Sequence, residues 1–318
     1  MRDELRDKNI AVLMGGLSSE REVSLRSGMA MFDALIADGY DAISIDADEQ
    51  LCMKLISHDI DIALLALHGG FGEDGSIQGM LEVMGIPYTG SGVLASGICI
   101  DKLVSKIIFK NAALTVSPYV VVDRDEYFTK KDVGFVPFNI PWVIKPHKEG
   151  SSVGVSTVKR KSEIDNAISE AFAYGQKTII ERFIQGREIH VGILCGKVLG
   201  MVEVRPKKGF YDYESKYTSG LTEYILPPPV DDITYNKLAK EALKAYEATD
   251  CSGVCRVDFI LSDEDGMPYI LEINTLPGMT ENSLIPKIAM YAGYTFLSLI
   301  EEMLMDMLKE KKYSNISV

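Results

Sequence analysis

Between Arg256 and Asn274 the chain sets charged side chains inside two apolar runs, and few folds accept that arrangement. Arg256-Val-Asp258 leads into Phe259 and Leu261, and Ile270, Leu271 and Ile273 surround Glu272 and Asn274. Asp263-Glu-Asp-Gly266 between them is turn chemistry, with Gly266 suited to a positive φ. A hairpin centred on Asp265 would face Asp258 with Glu272 and Arg256 with Asn274. Residues two apart on a strand share a face, so the four side chains would point one way. Opposed carboxylates repel unless a cation bridges them, and oxygen-only ligands suit a hard ion such as Mg2+. A solvated hairpin explains Asp263 to Asp265, but it does not explain acids placed within apolar strands. The metal reading is preferred.

The 318 residues allow two or three domains. A net charge of −13 argues against general affinity for nucleic acid or anionic lipid. Lysines local to one site could still bind ATP. The first eight residues have no apolar core and read as no signal peptide. Val83 to Ile100 is uncharged, but Pro87 and four glycines exclude a membrane helix there. The five cysteines suggest no disulfide framework, and Cys251 and Cys255 lack the second ligand pair that zinc needs. The cytoplasm is the expected compartment, with no membrane and no nucleic-acid partner.

Asn9 to Met14 reads as a strand running into Gly15-Gly16, and Ser18 to Glu22 opens a helix through about Asp38. Asp41 to Ile45 and Ile60 to Leu67 are further strands, with helices over Leu51 to His58 and Ser76 to Met84. This alternation predicts a doubly wound parallel sheet with functional loops beyond the strand C-termini. From Lys102 the pattern changes to a helix, then shorter strands and hairpins. Trp142 to Lys145 and Thr178 to Ile184 read as strands flanking a helix over Lys161 to Tyr174. Arg187 to Leu194 and Val198 to Val204 form a hairpin. Arg205 to Pro229, rich in tyrosine, has the length of a lid. Ile233 to Thr249 and Leu284 to Lys312 supply helices.

Gly70-Phe-Gly72-Glu-Asp-Gly75 fits the dinucleotide pattern between a strand and a helix. Glu73 and Asp74 would repel a pyrophosphate there, however, and the acid expected about twenty residues later is missing. Lys145-Pro-His-Lys-Glu-Gly150-Ser-Ser-Val-Gly154 is the better phosphate candidate, a lysine followed by a small-residue loop whose amides can approach oxygens closely. An ordinary hairpin turn would read the same way. Lys102 and Lys216 are further candidates, either ligands or solvated lysines.

These motifs, taken in order, resemble the ATP-grasp carboxylate–amine ligases, and within them the D-alanine–D-alanine ligases. The matching segments include Gly15-Gly-Leu-Ser-Ser-Glu20, Leu67-His68-Gly-Gly-Phe-Gly-Glu-Asp-Gly75, Asp101-Lys102, Lys145-Pro146 and Glu149-Gly-Ser-Ser-Val-Gly154. Phe210-Tyr-Asp-Tyr-Glu-Ser-Lys216-Tyr217, Arg256-Val-Asp258 and Glu272-Ile-Asn274-Thr-Leu-Pro277-Gly278 complete the set. The resemblance runs from about Asn9 to Ser298. It implies an α/β and α+β chain: a Rossmann-like N-terminal domain (1–101), then two ATP-grasp domains (102–185 and 186–318) that clamp the nucleotide between their sheets.

The resemblance also implies roles. Asp258, Glu272 and Asn274 would hold two Mg2+ (or Mn2+) ions on the ATP phosphates. Lys102, Lys145 and the lid's Lys216 would contact phosphate, Glu181 and Ile184 adenine, and Glu188 the ribose. Arg182 stands where the family commonly has lysine. Glu20 would take the first D-alanine's ammonium group and link to Ser151 and Tyr217. Arg256 and the Gly278 amide would hold the oxyanion, and Ser283 and Leu284 the second carboxylate, with His68 nearby. Tyr217 suggests an amine acceptor, so the expected product is D-alanyl-D-alanine for peptidoglycan. A ligase using D-serine or D-lactate is the alternative. The family also suggests a homodimer.

Overall fold

The structure is a computed structural model, and it describes residues 2–206, 222–280 and 282–309. Its first sheet is wholly parallel, in the order β2 (Ala42–Asp46), β1 (Ile10–Met14), β3 (Ile62–Leu65). All five residues of β1 and all four of β3 are buried. That is the expected pattern for parallel strands covered on both faces. Helix α1 (Arg21–Ala37) packs Met31 and Leu35 on one face, in a cluster shared with the C-terminal helix residues Leu299, Met303 and Leu304. Helices α2 (Leu51–Ser57) and α3 (Ser76–Met84) cover the other face through Leu51, Leu55 and Leu81. The crossovers bring the loops after β1 and β3 to one edge, as the alternation predicts.

Two helices follow, α4 (Val93–Ile100) and α5 (Lys102–Asn111), divided at Asp101, whose carboxylate caps the backbone N–H groups of Leu103 and Val104. The sequence alone predicts a glycine-rich loop rather than a helix over 93–100. Gly97 and the short uncharged run hide a helix whose Ala95 and Cys99 are buried against another sheet.

The second sheet, in the order β4 (Tyr119–Asp123), β7 (Lys177–Arg182), β5 (Trp142–Pro146), β6 (Ser156–Val158), is antiparallel. Helices α6 (Arg124–Lys130) and α7 (Ile164–Phe172) lie along it, and α7 buries Ala167, Ile168, Ala171 and Phe172 on Ile144 and Ile180. The period of two then turns Val143, Lys145 and Glu181 to the opposite face.

The third sheet has the order β10 (Thr222–Ile225), β9 (Lys197–Pro206), β8 (Gly186–Leu194), β11 (Val254–Ser262), β12 (Pro268–Asn274), antiparallel throughout. Ile189, Val191, Val257 and Phe259 form its core with α4, α5 and α8 (Asp232–Ala248). Alternate positions on the other face carry Glu188, His190, Arg256, Asp258, Glu272 and Asn274. Helices α9 (Leu284–Tyr291) and α10 (Phe296–Lys309) close the chain. Among the described residues no helix is long and apolar enough to cross a membrane.

Candidate functional site

The hairpin pairs Asp258 with Glu272 and Arg256 with Asn274, the expected register. A bulge after Asp258 then shifts the pairing to Phe259 with Ile270, so the centre on Asp265 does not extend to the turn. Bulges of this kind increase the local twist and re-aim side chains. Arg256 donates from Nε to Asp258 Oδ1 and from Nη2 to Oδ2, both at 2.8 Å, and Asn274 Nδ2 reaches Oδ2 at 3.0 Å.

Strand β8 adds a residue the sequence reading left unassigned. His190 lies opposite Asp258, with Nδ1 2.7 Å from Oδ1 and Nε2 3.1 Å from Glu188 Oε1. Burial works to lower the imidazole's affinity for a proton, yet Asp258 and Glu188 raise it above the ordinary histidine value. Burial likewise disfavours the Asp258 carboxylate, but Arg256 and His190 outweigh it and hold the group well below the usual carboxylate range.

The facing sheet is basic. Lys106 and Lys145 each place Nζ 3.0 Å from Glu181 Oε1, and all three are buried. Two ammonium groups on one carboxylate leave surplus positive charge where an anionic ligand would be favoured. Burial alone would raise Glu181, but the two lysines bring it down to about 2, while burial pulls Lys106 below the ordinary lysine value. A carboxylate depressed from 4.5 stabilises the fold above that pH and loses the contribution as pH falls toward 2. The expected loss is of the order of 3 kcal/mol. Urea unfolding from pH 5 to pH 2 checks it: Glu181→Gln should show a flatter decline than the parent chain.

Lys102 Nζ lies 3.2 Å from Glu272 Oε2 and donates to the Glu149 carbonyl at 2.5 Å. A cavity of about 660 Å3 separates these two walls. Lys102, Lys145, Glu181, Ile184, Glu188, Asp258 and Glu272 all line it. Arg182 lines it too, and its guanidinium lies 3.3 Å from the Tyr269 hydroxyl.

A second group forms where the N-terminal loops meet the other sheets. Glu20 precedes α1, and Ser151 Oγ donates to its carboxylate. Gly69, at φ 67°, lets that carboxylate approach, because a Cβ there would stand 2.8 Å from Glu20 Oε2. His68 Nε2 lies 3.1 Å from Ser27 Oγ, which accepts from the Met279 amide at 3.3 Å. Ser283 precedes α9, its Oγ accepting from the Thr280 amide at 3.1 Å, and a Cβ on Gly278 would meet Ser283 Oγ at 2.8 Å. Leu284 is buried at the helix start. Gly70 to Gly72 forms a short 3-10 turn, and Glu73 Oε1 lies 3.7 Å from His68 Nδ1, so an acid faces into this loop. Lys216 and Tyr217 lie outside the described residues.

Residues 108–305 match the family model "D-ala D-ala ligase C-terminus" and residues 47–91 "D-ala D-ala ligase N-terminus". A protein of Geotalea uraniireducens named D-alanine–D-alanine ligase is 51% identical over 302 residues, covering 95% of this chain and 96% of that one. The D-alanine–D-alanine ligase of Bacillus anthracis complexed with ATP superposes with a TM-score of 0.81 at 34% identity, covering 95% of this chain and 98% of the other. The VanG D-Ala:D-Ser ligase of Enterococcus faecalis gives 0.82 at 29%, covering 95% and 100%.

Proposed function

The chain belongs to the D-alanine–D-alanine ligase family, and from that premise we propose how its own residues carry the reaction. It is an ATP-dependent ligase with the ATP-grasp fold that joins two D-alanine molecules for cell-wall synthesis. One observation carries the assignment of residues: a cavity of about 660 Å3 lined on one side by the buried lysines Lys102 and Lys145 and on the other by the acids of the β-hairpin. We place domain boundaries at 101/102 and 185/186.

A carboxylate resists attack by an amine, so the first D-alanine is activated by phosphorylation to an acyl phosphate. Lys102 and Lys145 meet the charge on the transferring group. Glu181 and Ile184 receive adenine, and Glu188 the ribose. Asp258, Glu272 and Asn274 offer oxygen donors that fit a hard divalent cation, and Lys102 beside Glu272 marks the carboxylate as a place for positive charge. They would hold two Mg2+ or Mn2+ ions, which when bound offset phosphate charge. Among the described residues no three His, Cys, Asp or Glu side chains form a cage, so the nucleotide and water would complete the coordination.

Glu20 receives the first D-alanine's ammonium group, and its hydrogen bond from Ser151 joins the N-terminal loop to the phosphate loop. By the family resemblance Tyr217 would extend this link into the lid, and Lys216 would add a phosphate contact. Closing the link excludes water that would hydrolyse the acyl phosphate. The second D-alanine's amine attacks, and Arg256 with the Gly278 amide holds the oxyanion. Ser283 and Leu284, at a helix N-terminus, receive the second carboxylate. His68 orients this region through Ser27. The working form is a cytoplasmic homodimer.

The test is release of ADP and phosphate in step with dipeptide when ATP, Mg2+ and D-alanine are supplied. ADP release indifferent to D-alanine would overturn the reading. In a competition of D-alanine, D-serine and D-lactate at fixed pH, D-alanyl-D-alanine should dominate the products. A dominant mixed product would reassign the acceptor.

A further inference from the structure

Three cysteines meet at the joint where α4 and the Gly90–Ser91 turn pack on the third sheet, on the core face opposite Arg256 and Asp258. Cys99 lies on α4, Cys251 in the turn after α8 and Cys255 on β11, and all are buried. Cys99 Sγ and Cys251 Sγ are 3.7 Å apart although the residues are 152 positions apart in the chain. Spacing in the sequence singles out only Cys251 and Cys255, and nothing in it announces Cys99. Among the described residues no metal cage forms, so the chemistry open to the cluster is that of thiols.

The surroundings fix the backbone on both sides. Ser252 donates from Oγ to the Gly90 carbonyl at 2.9 Å and from its amide to Ser91 Oγ at 3.2 Å. A Cβ on Gly253 would stand 2.8 Å from Gly90 Cα, so the two turns are in close contact. Thr249 Oγ1 lies 3.2 Å from Cys251 Sγ, and Ser91 Oγ 3.7 Å from Cys255 Sγ. Hydrogen bonds from Cys255, Cys99 and Thr249 favour the thiolate at Cys251 against its burial. Burial pushes Cys255 up, and hydrogen bonding to Cys251 together with burial pushes Cys99 up. The 3.7 Å contact makes Cys99 and Cys251 the pair placed to join, and the contacts from Cys99 and Thr249 that converge on the Cys251 sulfur mark it as the one that attacks first.

We propose that Cys99 and Cys251 are a modification site, forming a reversible disulfide when a small peroxide reaches the joint. The Cys251 thiolate attacks one peroxide oxygen, the O–O bond breaks, and hydroxide leaves with a proton as water. Cys99 sulfur then attacks the sulfenic sulfur, the S–S bond forms, the S–O bond breaks, and a second water carries off the Cys99 proton. Two thiols are oxidised and one peroxide is reduced. The sulfurs close from 3.7 Å to about 2.05 Å. The product ties α4 to the start of the strand that carries Arg256 and Asp258, and it spares Cys251 from irreversible oxidation. Because the joint is already held, turnover should change by less than about twofold. Closing so long a loop should raise the melting temperature by roughly 5 to 8 °C.

The experiment uses the full chain carrying Cys52→Ser, which removes the exposed thiol. Hydrogen peroxide is added, and peptides from non-reducing digestion are weighed. The expected result is a Cys99–Cys251 linked peptide, lighter by two hydrogens than the separate pair, with a raised melting temperature that dithiothreitol reverses. Adding Cys99→Ala should remove both the link and the rise, whereas Cys255→Ala should keep them. A Cys251–Cys255 link, a sulfinic acid at Cys251, or unmodified thiols after peroxide would each overturn the proposal.

Discussion

Glu272→Gln should lower turnover by about 1,000-fold or more while leaving the fold intact. The side chain faces the cavity and is 26% exposed, and its ion pair is with Lys102. Gln keeps the shape and one carbonyl oxygen but removes the charge. Lys102 retains the Glu149 carbonyl and the Gln amide oxygen as acceptors, so the loss of stability should stay at about 1 to 3 kcal/mol. The contrast with Asp258 makes the variant informative. Both Asp258 oxygens are already held by Arg256, His190 and Asn274, so replacing that acid would disturb the wall as well as the chemistry. ADP release at saturating Mg2+ and D-alanine, with a melting curve beside it, separates the two effects. Near-parental turnover in a folded Glu272→Gln protein would remove this carboxylate from phosphoryl transfer.

What the sequence made legible was local. The register of Asp258 with Glu272 follows from a period of two on each side of a short turn, and both strands lie within the one stretch from Val254 to Asn274. The bulge after Asp258 follows from no spacing, because it depends on how the twisted hairpin packs on β8. His190 illustrates the boundary better. Glu188 and His190 are two apart and so share a strand face, a visible signal. Their meeting with Asp258 depends on the pairing of strands sixty-eight positions apart, which no local pattern fixes. Lys106 was missed for a similar reason. Four residues after Lys102 on a helix, it reads as part of a solvated charged face, yet α5 turns it inward onto Glu181 from another sheet. The parallel sheet was readable because buried β1 and β3 are continuous apolar runs. Helix α4 was not, since its single uncharged stretch has neither caps nor a polar face to mark it.

Arg256→Met should lower kcat/KM by about 100- to 1,000-fold and also destabilise the protein by about 3 kcal/mol or more. Two different physical losses are involved. The first is the donor assigned to the oxyanion, whose charge develops only as the amine attacks, so kcat should fall with little change in the KM for ATP. The second is structural: Arg256 supplies two of the hydrogen bonds to a nearly fully buried Asp258. Without it, His190 and Asn274 remain as partners, and only the imidazole can carry a compensating charge. Arg256→Lys restores the charge but not the two-pronged geometry, so it should recover most of the stability and little of the rate. Turnover, ATP titration and urea unfolding on both variants decide between the contributions. If Lys restored both rate and stability, a point charge would suffice and the oxyanion role of the guanidinium fork would fail. If Met cost stability alone, Arg256 would be a support for Asp258 and the donor would have to be sought at the Gly278 amide.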